Sequence, residues 1–379
     1  MITESFLFLL QIGVAAQPSS VIRINQLGYQ PDAPKVAVFC SLEKREIGSF
    51  VVTDEQGTRI LERAAQAAKP FGPCLTTYRL DFSSLKRAGN YRISAGDVVS
   101  PLIRIRADAY AGAADTLLYY MREQRSGYNP LFRTVVHTHD GIVVDDSARA
   151  GKFVPVTGGW ADASDYLQYV MTSANATFVM LMAYRDNPRS FADAFDERGL
   201  PGKNGVPDIL DEARHGLQWL VRMFPSDSEM YNQLGDDRDH TYWDLPPTDS
   251  ADYGWGKGKE RPVYPCTGRP QGLFKYKNRS SGFASTAGKY ASTFALASSL
   301  YSKRDPVFAK KLREKARAAY AIGKQRPGVC QGAPGRAPYY YEEDNWVDDM
   351  ELGAAELFAL TKNPIYRQQA MEYAAKEPV

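Results

Sequence analysis

The sequence predicts a two-domain chain, a β-sandwich followed by an all-α domain. Two observations carry this expectation: the length, and a switch of hydrophobic period near residue 108. At 379 residues the chain exceeds one ordinary domain and suits two, each able to bury its own core. Hydrophobic residues make up 44% and charged residues 24%, which excludes disordered and fibrous classes. The net charge is only +2, with Lys and Arg scattered rather than massed, so neither nucleic acid nor a membrane surface is expected as partner. Aromatic residues reach 12%, including 23 Tyr and five Trp, which suits a protein that stacks rings on sugars or bases, and equally a Tyr-rich core.

Residues 1–17, "MITESFLFLLQIGVAAQ", join a short apolar stretch to small residues, the pattern of a secretory signal too short to span a bilayer, although no Lys or Arg precedes it. Over 20–107, "KVAVFC", "SFVVTDEQGTRILE", "YRLDF", "GNYRIS" and "PLIRIRA" are short, rich in β-branched residues and punctuated by Gly, Pro and Asp, which predicts a β-sandwich. "DEQG" at 54–57 is placed as a hairpin turn. From 108 to 379 the apolar residues recur at helical spacing in about seven amphipathic segments, joined by long polar or aromatic loops where sites tend to sit. The longest of these loops is 232–282. Cys40, Cys74, Cys266 and Cys330 lack metal-ligand spacing; two disulfides in any of three connectivities, or free buried thiols, remain open.

The stretch "GGWADASDYLQYV" at 158–170 sets Asp162 and Asp165 just ahead of an apolar run. An Asp in that place is most often a helix N-cap, accepting the orphan N–H groups of the first turn. Two neighbouring carboxylates can also hold a water between them, one taking its proton as it attacks a glycosidic carbon. In an inverting enzyme the partner acid stands roughly 6.5 to 9.5 Å away. "GWGKGK" at 254–259 lacks the spacing of a phosphate loop and is placed as a flexible loop.

Six blocks in order resemble glycoside hydrolase family 9, the inverting β-1,4-glucanases. "GGWADASDYLQYV" is similar to that family's Gly-Gly-Trp-x-Asp-Ala-Gly-Asp-Tyr motif, and "NGVPDILDEARHGLQWLVRM" at 204–223 to its Gly-x-Pro-Asp-x-Leu-Asp-Glu helix. "NQLGDDRDHTYWDLP" at 232–246 with "ERP" at 260–262, "STAGKYASTFALAS" and "DDMELGAAELFALTKNPIY" resemble later blocks, and "IRINQLGYQPDAPKVAVF" at 22–39 resembles the immunoglobulin-like module that precedes many members. The resemblance implies an immunoglobulin-like β-sandwich at 20–107 and an (α/α)6-barrel glycosidase domain at 108–379. That barrel needs twelve helices, so about seven imply that the domain is incomplete at its C-terminus.

The resemblance also assigns roles. Asp165 is expected as the general base, able to cap the helix as well, and Asp162 as the residue that positions the water. Ser164 stands where many members have Gly. His240 and Trp243, and more loosely Trp255 and Trp346, are expected to bind substrate, the tryptophans by stacking on glucose rings. The family's general acid is a glutamate near the end of the catalytic module, so it is expected beyond Val379, and Glu342, Glu343, Glu351 and Glu356 are not promoted to that role. Many members bind a structural zinc through "QRCG" and "CH"; "QRSG" at 124–127 and Val136–His137 lack both thiolates, so zinc is not expected and "HTHD" at 137–140 becomes a loop stabiliser or cleft wall. No cofactor is required; calcium on the acidic loop 236–239 stays open. The signal-like stretch implies a secreted or periplasmic protein, expected as a monomer, and the resemblance implies action on cellulose or a related β-glucan, with a non-hydrolytic glucan-binding protein and an amino-sugar glycosidase as alternatives.

Overall fold

The computed structural model describes residues 18–241 and 244–378. The signal-like stretch 1–17 and Trp243 lie outside the described residues. Two compact units divide the chain, Met1–Ala111 and Gly112–Val379.

Among the described residues the first unit pairs nine strands in two sheets. β1 (Ser20–Arg23), β2 (Val36–Ser41), β5 (Gln66–Ala68) and β6 (Thr76–Asp81) form one in the order β1-β2-β6-β5. The other sheet runs β4-β3-β7-β8, from β3 (Ser49–Asp54), β4 (Arg59–Ala64), β7 (Gly89–Ala95) and β8 (Val98–Val99), with β9 (Ile103–Ile105) also paired to β7. Along β7, Tyr91, Ile93 and Ala95 point inward while Arg92 points to solvent, which is the two-residue period the sequence displays. Phe39 and Leu80 of one sheet join Phe50, Val52 and Ile93 of the other in a single core. Cys40 and Cys74 form a disulfide across a sequence separation of 34, tying β2 to the approach of β6. β1, β5 and β8 are too short to have shown as strands in the sequence.

The second unit holds seven α-helices among the described residues: α1 (Ala113–Glu123), α2 (Val170–Asp186), α3 (Asp208–Met223), α4 (Ala284–Tyr301), α5 (Pro306–Gln325), α6 (Val347–Thr361) and α7 (Pro364–Ala374). α5 starts where Asp305 accepts the N–H of Phe308 and Pro306 opens the first turn; Asn363 and Pro364 repeat this at α7. α4 is lined with Ala and Ser and packs between α5 and α6. Gly288 makes this approach possible, because a Cβ there would sit 2.4 Å from the Asp349 carbonyl carbon of α6.

The helices support a small sheet that the helical period conceals. After the hairpin of β10 (Gly127–Asn129) and β11 (Thr134–Val136), the strands β12 (Ile142–Val143), β13 (Gln168–Tyr169), β14 (Tyr231–Leu234) and β15 (Pro262–Pro265) pair in the order β12-β15-β14-β13. β13 stands between the aspartate loop and α2, and it corrects the cap expectation. α2 begins only at Val170, and its N-cap position, Tyr169, makes no side-chain cap bond. The Gln168–Leu234 and Tyr169–Gln233 pairings hold this backbone extended, so neither Asp162 nor Asp165 caps the helix.

Candidate active site

The loop that carries both aspartates is anchored from behind by buried polar groups. Gly158 and Gly159 adopt φ 126° and 76°, and a Cβ on Gly159 would press to 2.7 Å on Trp219, so the pair admits only glycine without strain. Trp160 is buried and donates its indole N–H to Glu212 Oε1 at 2.8 Å; Glu212 also receives Arg125 through two bonds of 3.0 and 2.7 Å. The "GGW", "QRSG" and "LDEA" stretches are thus one network. On the other flank, buried Arg261 grips Asp140 at 2.7 and 2.8 Å, Gln168 Oε1 at 2.6 Å and the Tyr166 carbonyl. Asp140 of "HTHD" is therefore a loop stabiliser.

Held this way, the loop closes on itself, with the Asp162 N–H donating to the Leu167 carbonyl at 2.8 Å and the Leu167 N–H to Asp165 Oδ1 at 3.2 Å. Both aspartate side chains face a small cavity of about 170 Å³, lined also by Leu167, Tyr169, His240 and Tyr339 to Tyr341. That volume accommodates a few waters at roughly 30 Å³ each. His240 Nε2 lies 3.1 Å from Asp165 Oδ2, and the Tyr339 hydroxyl lies 2.8 Å from His240 Nδ1. A proton on Nε2 satisfies both bonds, with the imidazole donating to Asp165 and accepting from Tyr339. Asp162 accepts Thr172 Oγ1 at 2.8 Å on one oxygen and the Tyr341 hydroxyl at 2.6 Å on the other. Tyr341 packs edge-on against Tyr169.

Asp239 lies beneath this group. Its Oδ2 accepts the Tyr166 N–H at 2.9 Å, while its buried Oδ1 has no hydrogen-bond partner. Burial pushes its carboxyl up to about 7, the charge of Asp165 works in the same direction, and the Tyr166 N–H and His240 oppose.

The structure brings Asp162, Asp165 and His240 together and places Trp255 and Trp346 elsewhere. Trp255 is partly exposed at the tip of a turn, and Trp346 packs on Tyr373 beside the helical core. Neither lines the cavity of the aspartates. Glu342 pairs with Arg279, Glu343 with Lys289 and Glu356 with Arg185. Sequence reasoning misses Tyr339 to Tyr341. Their signal is "APYYYEE", a tyrosine run in a Gly- and Pro-rich loop. Side chains from the 232–237 stretch hold this loop: Gln233 Oε1 accepts the Ala333 N–H at 2.6 Å, and Asp237 accepts those of Arg336 and Ala337 at 2.7 and 2.6 Å.

These bonds also decide the fit of a metal. Asp236 is taken by Arg238 and by the Tyr264 hydroxyl, Asp237 by two backbone amides and Asp239 by one, so the carboxylates of 236–239 do not fit a shared calcium ion. His137, in the stretch set above against the resembled "CH" zinc motif, has Nδ1 3.2 Å from Ser126 Oγ and Nε2 3.3 Å from Asp249. Among the described residues no group of three or more His, Cys, Asp or Glu side chains is arranged to share an ion. A larger cavity of about 440 Å³ lies by Arg125, Arg198, Arg214 and Arg222. Its cations are already engaged, with Arg125 on Glu212, Arg214 on Asp305, Arg222 on the Thr157 carbonyl and Arg198 over Tyr128, so the aspartate cavity is the better candidate for chemistry.

Residues 110–378 match the model of glycosyl hydrolase family 9, and residues 17–100 that of the cellulase N-terminal Ig-like domain. The chain belongs to glycosyl hydrolase family 9. Among curated relatives of this family 9 chain, a xyloglucan-specific endo-beta-1,4-glucanase of Bacteroides ovatus is 27% identical over 384 residues, covering 94% of this chain and 60% of the relative. Endoglucanase D of Acetivibrio thermocellus is 25% identical over 374 residues, covering 95% of this chain and 55% of that protein. A metagenome-derived family 9 endoglucanase of known crystal structure superposes with a TM-score of 0.72 at 29% identity, over 95% of this chain and 65% of that one. The chain therefore spans 55 to 65% of the length of these relatives. The helical unit is thus part of an (α/α)6 barrel, preceded by the Ig-like β domain.

Proposed function

We propose that this family 9 chain carries the base half of an inverting glycosidase site that cleaves β-1,4-glucosidic bonds in cellulose or a related β-glucan. The observation that supports it best is the fixed pair of carboxylates. Asp162 is held by Thr172 and Tyr341, and Asp165 by His240 and the Leu167 amide, with both facing one cavity. A carboxylate has about four lone-pair sites, so each aspartate keeps acceptor capacity for a water. Asp165 takes the proton of that water as it attacks the anomeric carbon, and Asp162 fixes the water's orientation. The leaving-group acid is not assigned, since no glutamate lines this cavity among the described residues. The two endoglucanase relatives support the substrate class. The Cys40–Cys74 disulfide supports secretion, because such bonds persist in oxidising compartments. No helix among the described residues is long and apolar enough to cross a membrane.

The test is reducing-sugar release from a soluble β-1,4-glucan by residues 1–379, beside the Asp165→Asn variant. Activity should fall by about 10²- to 10⁴-fold in the variant, and the first product should be the α-anomer by NMR. Undiminished activity would remove Asp165 from the role of base. Retention on immobilised glucan with no hydrolysis even of an aryl β-cellobioside whose activated leaving group needs no acid would favour a glucan-binding protein instead.

A further inference from the structure

Cys266 and Cys330 are both buried, and their sulfurs lie 2.9 Å apart across 64 residues of sequence. A covalent S–S bond spans about 2.05 Å, so closing the gap needs a shift of less than about 1 Å. The backbone around both residues is fixed. The Cys266 N–H, just after β15, donates to the Met230 carbonyl at 2.8 Å, and the Cys330 N–H donates to Ser285 Oγ at 2.9 Å. Asn232 of β14 donates to the carbonyls of Cys330 and Gln331. The Cys40–Cys74 disulfide of the same chain places the protein in chemistry where a facing thiol pair oxidises.

We propose that Cys266 and Cys330 are joined by a second disulfide in the native protein, anchoring the root of the segment that carries Tyr339 and Tyr341 to the end of β15. A low-molecular-weight disulfide of the glutathione type is the oxidant. One cysteine thiolate attacks it and releases a thiol; the second then attacks the mixed disulfide and releases another. Both cysteine protons end on the released thiols, and the two cysteine sulfurs are oxidised as the small disulfide is reduced. The exchange belongs to folding, because burial pushes the Cys266 thiol up and screens it once the core has closed. The anchored segment orders the tyrosines that bond His240 and Asp162, so the bond stiffens one wall of the cavity. The existence of the bond does not depend on the glycosidase proposal.

The deciding measurement is a thiol count on the full chain folded in a mixture of reduced and oxidised glutathione. The protein is then unfolded without reductant in excess iodoacetamide. The expected result is no alkylated cysteine, together with a peptide pair joining Cys266 to Cys330 that separates on reduction. Alkyl groups on both Cys266 and Cys330, or either residue linked to Cys40 or Cys74, would overturn the proposal. In the Cys330→Ser variant, Cys266 should become the one alkylated residue, Tm should fall by roughly 5 to 15 °C, and amides of 331–341 should exchange faster. Unchanged Tm and unchanged exchange would refute the anchoring. If that variant does not fold, the thiol count on the parent chain still decides.

Discussion

The Tyr341 hydroxyl donates to Asp162 at 2.6 Å across a sequence separation of 179, joining the loop after α5 to the loop before β13. Asp162 has its other oxygen on Thr172 in the first turn of α2, so it is clamped from two sides. Tyr341→Phe removes the donor and leaves the ring packed on Tyr169. A hydrogen bond to a charged group is worth about 1.5 to 3 kcal/mol of stability, so Tm should fall by several degrees, and because the bond fixes Asp162 against the attacking water, kcat on a β-1,4-glucan should fall by up to about 10- to 100-fold. An unaltered kcat would mean that Asp162 needs no clamp.

Asp239 gives a dependence of stability on pH. Its carboxyl is raised to about 7 by burial, against 3.8 in the unfolded chain. Between those values the folded state keeps a proton that the unfolded state has released, so stability from this group is full below about pH 4 and is lost as pH rises toward 7. Asp239→Asn is neutral throughout. The Tm of the parent chain minus that of the variant should therefore fall steadily between pH 4 and 7, measured by scanning calorimetry, and a flat difference would show that folding does not raise the Asp239 carboxyl.

Much of this site is legible in the sequence, and the part that is not has a physical cause. Asp162, Asp165 and His240 lie in stretches whose residue types are chemically loaded, and the structure brings all three to one cavity. The hydrophobic period switches near residue 108, because burial on one face imposes it directly, and the two units divide between Ala111 and Gly112. The cap expectation fails at β13. A two-residue strand makes no pattern of its own, and its pairing with β14 holds 168–169 extended ahead of α2. Tyr339 and Tyr341 escape because their loop has no periodicity and is placed by side chains about 100 residues away, Gln233 and Asp237. Long-range side chain to backbone bonds leave no local trace.

Arg261 should be the most costly polar residue to lose. It is fully buried, bonded twice to Asp140 and also to Gln168. Arg261→Met leaves the Asp140 charge without its partner, and breaking a buried pair from one side costs about 3 to 5 kcal/mol. Urea unfolding should show that loss. Asp140→Leu combined with Arg261→Met should recover part of it, since no charge then stays buried. If the double variant is as unstable as the sum of the single changes, the pair is not the source of the loss.

Trp255 and Trp346 separate sugar stacking from core packing. Trp346 contacts Tyr373 at a ring-centroid distance of 6.0 Å and belongs to the edge of the helical core. Trp346→Ala should cost about 3 kcal/mol, the low end for truncating a tryptophan, because the side chain is only partly buried. Its retention on a cellulose or xyloglucan affinity gel should stay that of the parent chain. Trp255 is 38% exposed at a turn, so Trp255→Ala should alter stability by less than about 0.5 kcal/mol. If Trp255 stacks on a glucan, its loss weakens gel retention while Tm holds; if it only packs its own turn, retention and Tm both stay at parent values. A Trp346→Ala chain that keeps its Tm but loses retention would reverse the placement argued for it, and would make the α6 N-terminus part of the sugar-binding surface.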